Sequence, residues 1–377
     1  REDPRQEGVL YAGTEQGLWL SWNEGKDWQA WQMNLPPVPI TDLTVADDSL
    51  VIATQGRGFW ILDDLALLRQ MQQPLADKPL HLFQPQDAQL GLEWSNAGDF
   101  EGSNPPADLV LSYSIGDETA LPIVIEILDS AGQTLRRYES EEGDFERCRL
   151  ANMDLRSPFT IDYPGIDKGL HQWHWDLRRA PLKCIDNARI YVGHSGAFLP
   201  PGDYQARITR GAESASVGFT LRGDPRQAAS AAQWQDWESE IVELTRLFND
   251  ITGAIESVRA DHDELEQLLM ARRVPASEGA DALAALKNWE RSVTQLNFDT
   301  YEDEDSWPTL IDGQVATLLS AVSSAGAPVA PGAKERQQDL SKAWAGHRSE
   351  LTRIRKQLMK VMRVATGPAG SSNRQTR

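Results

Sequence analysis

The stretch from Gly8 to Asp64 constrains the fold more than any other part of this chain. It reads GVLYAGTEQGLWLSWNEGKDWQAW, then a proline-rich link, then ITDLTVADDSLVIATQGRGFWILDD. Short apolar runs alternate with turn residues at roughly eight- to twelve-residue intervals, and an aromatic closes each hairpin. That rhythm belongs to radially repeated β-sheet, a propeller blade, rather than to an α/β unit. About six strands make roughly two blades, whereas a closed propeller needs at least about four blades of four strands. The expected first region, residues 1–72, is therefore a partial β-propeller.

Within it, Val9–Thr14 alternates with period two and Gly17 turns the chain into Leu18–Ser21. The next hairpin contains Ser21, Asn23, Gly25, Asp27 and Trp28. This spacing resembles the Asp-box, S-x-D-x-G-x-T-W, of BNR-repeat, sialidase-like and sortilin-like propellers. The third residue accepts amide hydrogen bonds from its own turn, Gly permits positive φ, and the last Trp packs on the blade. Asn23 stands where that pattern has Asp, and Asp27 where it has Thr. In that family the box is structural, so the resemblance implies no catalytic role for these five residues.

Ile40–Ala46 and Ser49–Thr54 read as the next two strands, with Asp47-Asp48 as their turn. The segment from Thr54 to Asp64 resembles the T-H-G-R-G/S-F-W-V-L-D-D closing segment of bacterial BNR and sortilin-like repeat proteins, with Gln55 in place of His. Arg57, Trp60, Asp63 and Asp64 are the candidate ligand-binding residues, as one side of a carbohydrate groove. The competing structural expectation is stronger: Arg57 bonds carbonyls at the strand turn, and the Asp pair caps a helix over Leu65–Met71. Two incomplete blades leave edges that need cover. The expected partner is an upstream propeller segment or another chain that completes them, with Arg1 marking the start of a C-terminal piece of a longer protein.

After a linker at 73–79, short strands recur over residues 80–223. Asp108–Ile115, Leu121–Asp129 and Gln133–Tyr138 alternate well. The runs Gly169–Arg178 and Pro200–Ile208 resemble the G-L-N-x-F-x-W-D-L-R and P-P-G-x-Y-x-V-x-L patterns of the Ig-like or fibronectin-type sandwich that follows the propeller in the same bacterial family. On the first run His171, Trp173 and Trp175 share one face and Gln172, His174 and Asp176 the other. The two histidines therefore diverge, and no neighbouring ligand set completes a metal site. The Trp pair reads as core. Arg178, Arg179 and Asp186 read as loop and surface pairs. Cys148 and Cys184 are the only cysteines; they form one possible disulfide or remain two thiols.

From Pro225 the texture changes. Apolar residues recur at three- and four-residue spacing from Trp234 to Leu269, then from Leu283 to Leu296, Leu310 to Val322 and Leu340 to Val361. Four helices over 224–365 are expected to pack as an antiparallel bundle. Residues 366–377 read as a disordered tail.

The 377 residues carry a formal charge of −19, with 56 acidic and 37 basic side chains. That surplus opposes non-specific binding to nucleic acid or anionic membranes. No apolar run approaches the ~20 residues that span a bilayer. There is no G-x-S-x-G, P-loop, G-x-G-x-x-G or HExxH, and no cofactor or metal is expected. The resemblance implies an extracytoplasmic, periplasmic or secreted, multidomain β plus α protein. For this chain it implies a non-catalytic structural or binding role toward protein or carbohydrate. The alternative is part of a glycoside hydrolase whose catalytic carboxylates lie in upstream blades, since such chemistry needs two acids about 5 to 9.5 Å apart.

Overall fold

The computed structural model describes residues 1–71, 78–91, 108–140, 163–297 and 306–366. It is a mixed β plus α structure of two compact units. The first contains all fourteen strands and one short helix among the described residues; the second contains four long helices together with the chain from Arg178 to Pro200.

In the first unit, β1 (Leu10–Thr14), β2 (Gly17–Ser21) and β3 (Gln29–Ala30) form an antiparallel sheet in that order. The start of the chain adds a row to it: Glu2 bridges Leu10, and Arg1 and Tyr11 exchange backbone hydrogen bonds. A second antiparallel sheet runs β4 (Ile40–Ala46), β5 (Ser49–Thr54), β6 (Phe59–Leu62). Period-two alternation turns Tyr11, Leu18 and Leu20 of the first sheet and Leu43, Leu50 and Ile52 of the second into one core, with Leu65 and Leu68 of α1 (Leu65–Gln70) below. The two sheets approach closely at Gly13, where a Cβ would lie 2.4 Å from Ile40 Cγ2. Asp64 caps α1, accepting from the Leu67 amide at 3.2 Å in a left-handed conformation. The Asp-pair expectation thus resolves onto one residue.

The rest of this unit comprises β7 (Leu80–Leu82), β8 (Ala88–Gln89), β9 (Leu109–Ile115), β10 (Ile123–Leu128), β11 (Thr134–Glu139), β12 (Gly169–Trp175), β13 (Gly202–Arg210) and β14 (Glu213–Arg222). They form two sheets, ordered β12-β9-β7 and β11-β10-β13-β14-β8, antiparallel except for the β14–β8 pair. Trp173 and Trp175 are buried as their face predicts, against Tyr138 at 4.5 Å and Phe219 at 6.1 Å between ring centroids. Tyr204 stacks on Phe219 at 5.9 Å.

In the second unit, α2 (Ala231–Met270), α3 (Ala276–Val293), α4 (Ile311–Ala325) and α5 (Pro331–Thr366) follow the four apolar periodicities. Ser230 and Gln233 form a reciprocal capping box at the start of α2. A stripe of Trp237, Ile241, Leu244, Phe248, Ile251, Ile255 and Val258 is buried, and α2 packs on α3, α4 and α5. Tryptophan N–H groups find acceptors inside: Trp237 on the Val322 carbonyl at 2.8 Å and Trp344 on Asp250 at 2.7 Å.

The strand pattern gave no sign that the chain after Leu177 joins the helices. Arg179 pairs with Glu238 at 2.6 Å, Lys183 with Glu256 at 2.8 Å, and the Phe198 amide bonds the Ser323 hydroxyl at 2.9 Å. Arg179 is thus a partly buried tie to α2 rather than a loose surface pair, and the Asp186 carbonyl accepts from Arg259 of the same helix.

Candidate functional site

Ser21, Asn23, Gly25, Asp27 and Trp28 come together as one hydrogen-bonded turn. The Ser21 hydroxyl donates to Asn23 Oδ1 at 3.1 Å and accepts from the Gly25 amide at 2.9 Å. Asn23 Oδ1 also accepts from the Asp27 amide at 2.9 Å, and the Trp28 indole N–H reaches the Gly25 carbonyl at 3.0 Å. Trp28, expected to pack on the blade, lies over Gly25 and stays 39% exposed, so it covers the turn.

The two departures from the motif explain each other. Asn23 Nδ2 donates to the Asp27 carboxylate at 2.8 Å, a contact that needs an amide at the third position and an acid at the seventh. Asn23→Asp removes the donor and faces two carboxylates, and is expected to cost about 1 kcal/mol. Adding Asp27→Thr should recover most of that loss, a coupling that a double-mutant cycle in urea measures.

The four candidate binding residues do not converge on a groove. Trp60 packs toward the core and spends its N–H on the Arg57 carbonyl at 3.1 Å. Asp63 accepts from the Ser49 hydroxyl at 3.2 Å, while Asp64 caps α1 and accepts from Gln86. The Arg57 side chain, expected to bond carbonyls at the turn, is exposed and makes no hydrogen bond or ion pair among the described residues.

Among the described residues, no acid–base or nucleophile set forms around His171, His174, His262 or His347. His171 stacks on Tyr113 at 5.1 Å and meets the Asp167 carbonyl, while His174 pairs with Asp108 at 2.6 Å. Each has its own partner, and the two do not share a ligand position. Ser292 lies 3.5 Å from His347 Nδ1, but its hydroxyl donates to the Trp289 carbonyl at 2.7 Å. His262, Asp263 and Glu266 on one turn of α2 place three potential ligand atoms within 4.8 Å. The buried Nε2 of that histidine has no acceptor, whereas a ligating imidazole ordinarily donates its second N–H to one. Cys184 is disulfide-bonded; Cys148, the chain's other cysteine, lies outside the described residues.

What the first unit does present is an open apolar strip on the outer face of β5 and β6, flanked on β4 by Asp42 and Thr44. On β4-β5-β6 the inward side chains are covered by the core, while Phe59 and Ile61 stand 80% and 61% exposed on the opposite face. Val51 pairs with Ile61 and Ala53 with Phe59 on that same face. Sequence reasoning took Arg57, Trp60, Asp63 and Asp64 from this segment and passed over Phe59 and Ile61; the unbroken apolar run from Phe59 to Leu62 was the available signal.

No protein-family model matches this chain, and no curated protein matches it. Among solved structures, one similar chain is the extracellular domain of a putative hybrid two-component system from B. thetaiotaomicron, at 12% identity and TM-score 0.15. The alignment covers 58% of this chain and spans 24% of that one. A likeness this low carries no argument about fold or function.

Proposed function

We propose that this chain is a non-catalytic binding and scaffolding region, the C-terminal part of a larger extracytoplasmic protein of the BNR-repeat, sortilin-like kind. In this reading β1–β3 and β4–β6 are two propeller blades, the β7–β14 sheets an Ig- or fibronectin-like sandwich, and α2–α5 an antiparallel bundle. The observation that carries it is the open face of β4-β5-β6. The β5–β6 strand pair is apolar on both faces, although β4 adds Asp42 and Thr44 to the outer one. A strand pair of that kind is built to lie between two layers, and only one layer is present among the described residues. Its partner is an upstream propeller segment or another chain, and its mode is protein contact through that sheet. The Asp-box turn supports the same reading, as does the disulfide at Cys184, which suits an oxidising compartment.

Intact mass and N-terminal sequencing of native material test this directly. Further sequence before Arg1, or a tightly held second polypeptide, is the expected result. A native chain that begins at Arg1 and binds nothing through this face would overturn the reading. So would hydrolysis of β-glucans or sialosides by the purified chain that a single Asp→Asn change abolishes.

A further inference from the structure

The far edge of β6 is unpaired, and its groups are arranged to meet a copy of themselves. The Thr54 amide bonds the Gly58 carbonyl at 3.1 Å, which makes Thr54 and Gly58 a hydrogen-bonded pair of the β5–β6 ladder. Antiparallel pairing alternates. Trp60 and Leu62 therefore turn their backbone groups toward β5, while Phe59 and Ile61 turn theirs outward. Those outward N–H and C=O groups have no partner among the described residues.

The strand Phe59-Trp60-Ile61-Leu62 carries no proline, lysine or other charge, the devices that ordinarily blunt an exposed edge. The first sheet contrasts with it: residues 1–3 run along β1, and its other edge, β3, is only two residues long. Charge is confined to the ends of the strand: the free guanidinium of Arg57 before it and Asp63 after it.

We propose that β6 pairs antiparallel with β6 of a second copy of this chain, about a two-fold axis at Trp60. This rests on reading β4-β5-β6 as an interaction surface and names the partner at its edge. The register follows from the numbering. With Trp60 opposite Trp60, Phe59 faces Ile61 of the second copy, so the outward N–H and C=O groups of both residues are satisfied reciprocally. The same register sets Arg57 opposite Asp63 of the second copy, twice over. Phe59 and Ile61 become cross-strand neighbours on the open face, an aromatic–aliphatic pairing that covers part of each. An edge whose cation precedes and whose anion follows the apolar run is complementary to itself only in this antiparallel sense.

Sedimentation of the 377-residue chain over a range of concentrations is the test. The weight-average mass should rise from 42.0 kDa toward twice that value, with slowed amide exchange at Phe59 and Ile61. Arg57→Asp alone, or Asp63→Arg alone, replaces two attractions by two repulsions and should weaken dimerisation roughly tenfold or more. The double variant restores opposite charges across the axis and should recover it. A monomer at every concentration, a dimer indifferent to both single changes, or a double variant no better than the singles would overturn the proposal. Sequence found upstream of Arg1 in native material, with the chain monomeric, would remove the second copy and leave the interaction-surface reading standing.

Discussion

Arg69→Met is expected to destabilise the first unit by about 3–5 kcal/mol, the usual cost of stranding a buried charge. The Asp3 side chain is fully buried and Arg69 is 11% exposed. Arg69 Nε donates to both Asp3 oxygens at 3.0 Å, and another guanidinium nitrogen reaches Asp48 in the turn between β4 and β5. The remaining capacity of Asp3 is filled by the Tyr11 hydroxyl at 2.6 Å and by the amides of Arg5 and Gln6. One carboxylate thus ties the start of the chain, β1 and α1 together. Burial pushes its pKa up, but the bonds from Tyr11, the Arg5 amide and Arg69 outweigh burial and hold it below the usual carboxylate value. Asp48 is likewise lowered, burial being outweighed by the bonds from Arg69 and Arg5.

A depressed folded-state pKa contributes stability above the unfolded value of about 3.9 and loses it as pH falls. Urea unfolding followed by amide exchange over residues 1–71 should show that acid-side loss in the native chain and a smaller one in Arg69→Met. Asp3→Asn in the Arg69→Met background should recover part of the stability. An Arg69→Met chain within about 1 kcal/mol of the native one would refute this account.

Asp312→Asn is expected to stabilise the helical unit at pH 7.5 and to leave it nearly unchanged at pH 4. Asp312 sits in the first turn of α4 and is 1% exposed. Its Oδ1 accepts from the Gly313 amide at 2.7 Å. The hydroxyl of fully buried Thr294 lies close enough to favour the carboxylate, yet neither Oδ2 nor that hydroxyl reaches hydrogen-bonding geometry. Burial dominates and pushes the carboxyl up to about 6.

The sign is opposite to that of Asp3. A raised folded-state pKa means that the folded protein holds its proton longer, so stability is greatest below about pH 4 and falls as pH rises toward 6. At about 1.4 kcal/mol per unit the loss is on the order of 3 kcal/mol by neutral pH. Asparagine keeps the acceptor for Gly313 and removes the charge. Amide exchange in α4, corrected for intrinsic rates, should slow in the variant at pH 7.5 and match the native chain at pH 4. Faster exchange in the variant at pH 7.5 would sink the argument.

Much of the architecture was legible in local pattern. Alternation placed Trp173 and Trp175 in the core, and the three- and four-residue spacing placed Trp237 to Val258 on one buried stripe. Asp64 before an apolar helix read as a cap and is one. These are consequences of backbone period, which needs no knowledge of partners. The candidate site was legible only in part. The Ser21–Trp28 turn closes within eight residues, so its hydrogen bonds follow from local spacing. The Arg57, Trp60, Asp63 and Asp64 group was read as a possible groove because its members lie close in sequence, and strand alternation sends them to different neighbours.

The sequence by itself determined which faces are apolar, that four helices follow the strands, and how the Ser21–Trp28 turn bonds, whereas α3 and α5 begin several residues before their apolar periodicity does. The tertiary structure alone decided what those faces meet. It paired Asp3 with Arg69 across 66 positions, drew the chain after Leu177 onto the helices, and buried Asp312, whose place in a first helical turn suggests a solvated end. It also left the outer face of β6 open. Periodicity encodes the side of an element that shuns water, whereas the partner that covers that side depends on contacts between distant segments, which no local pattern records.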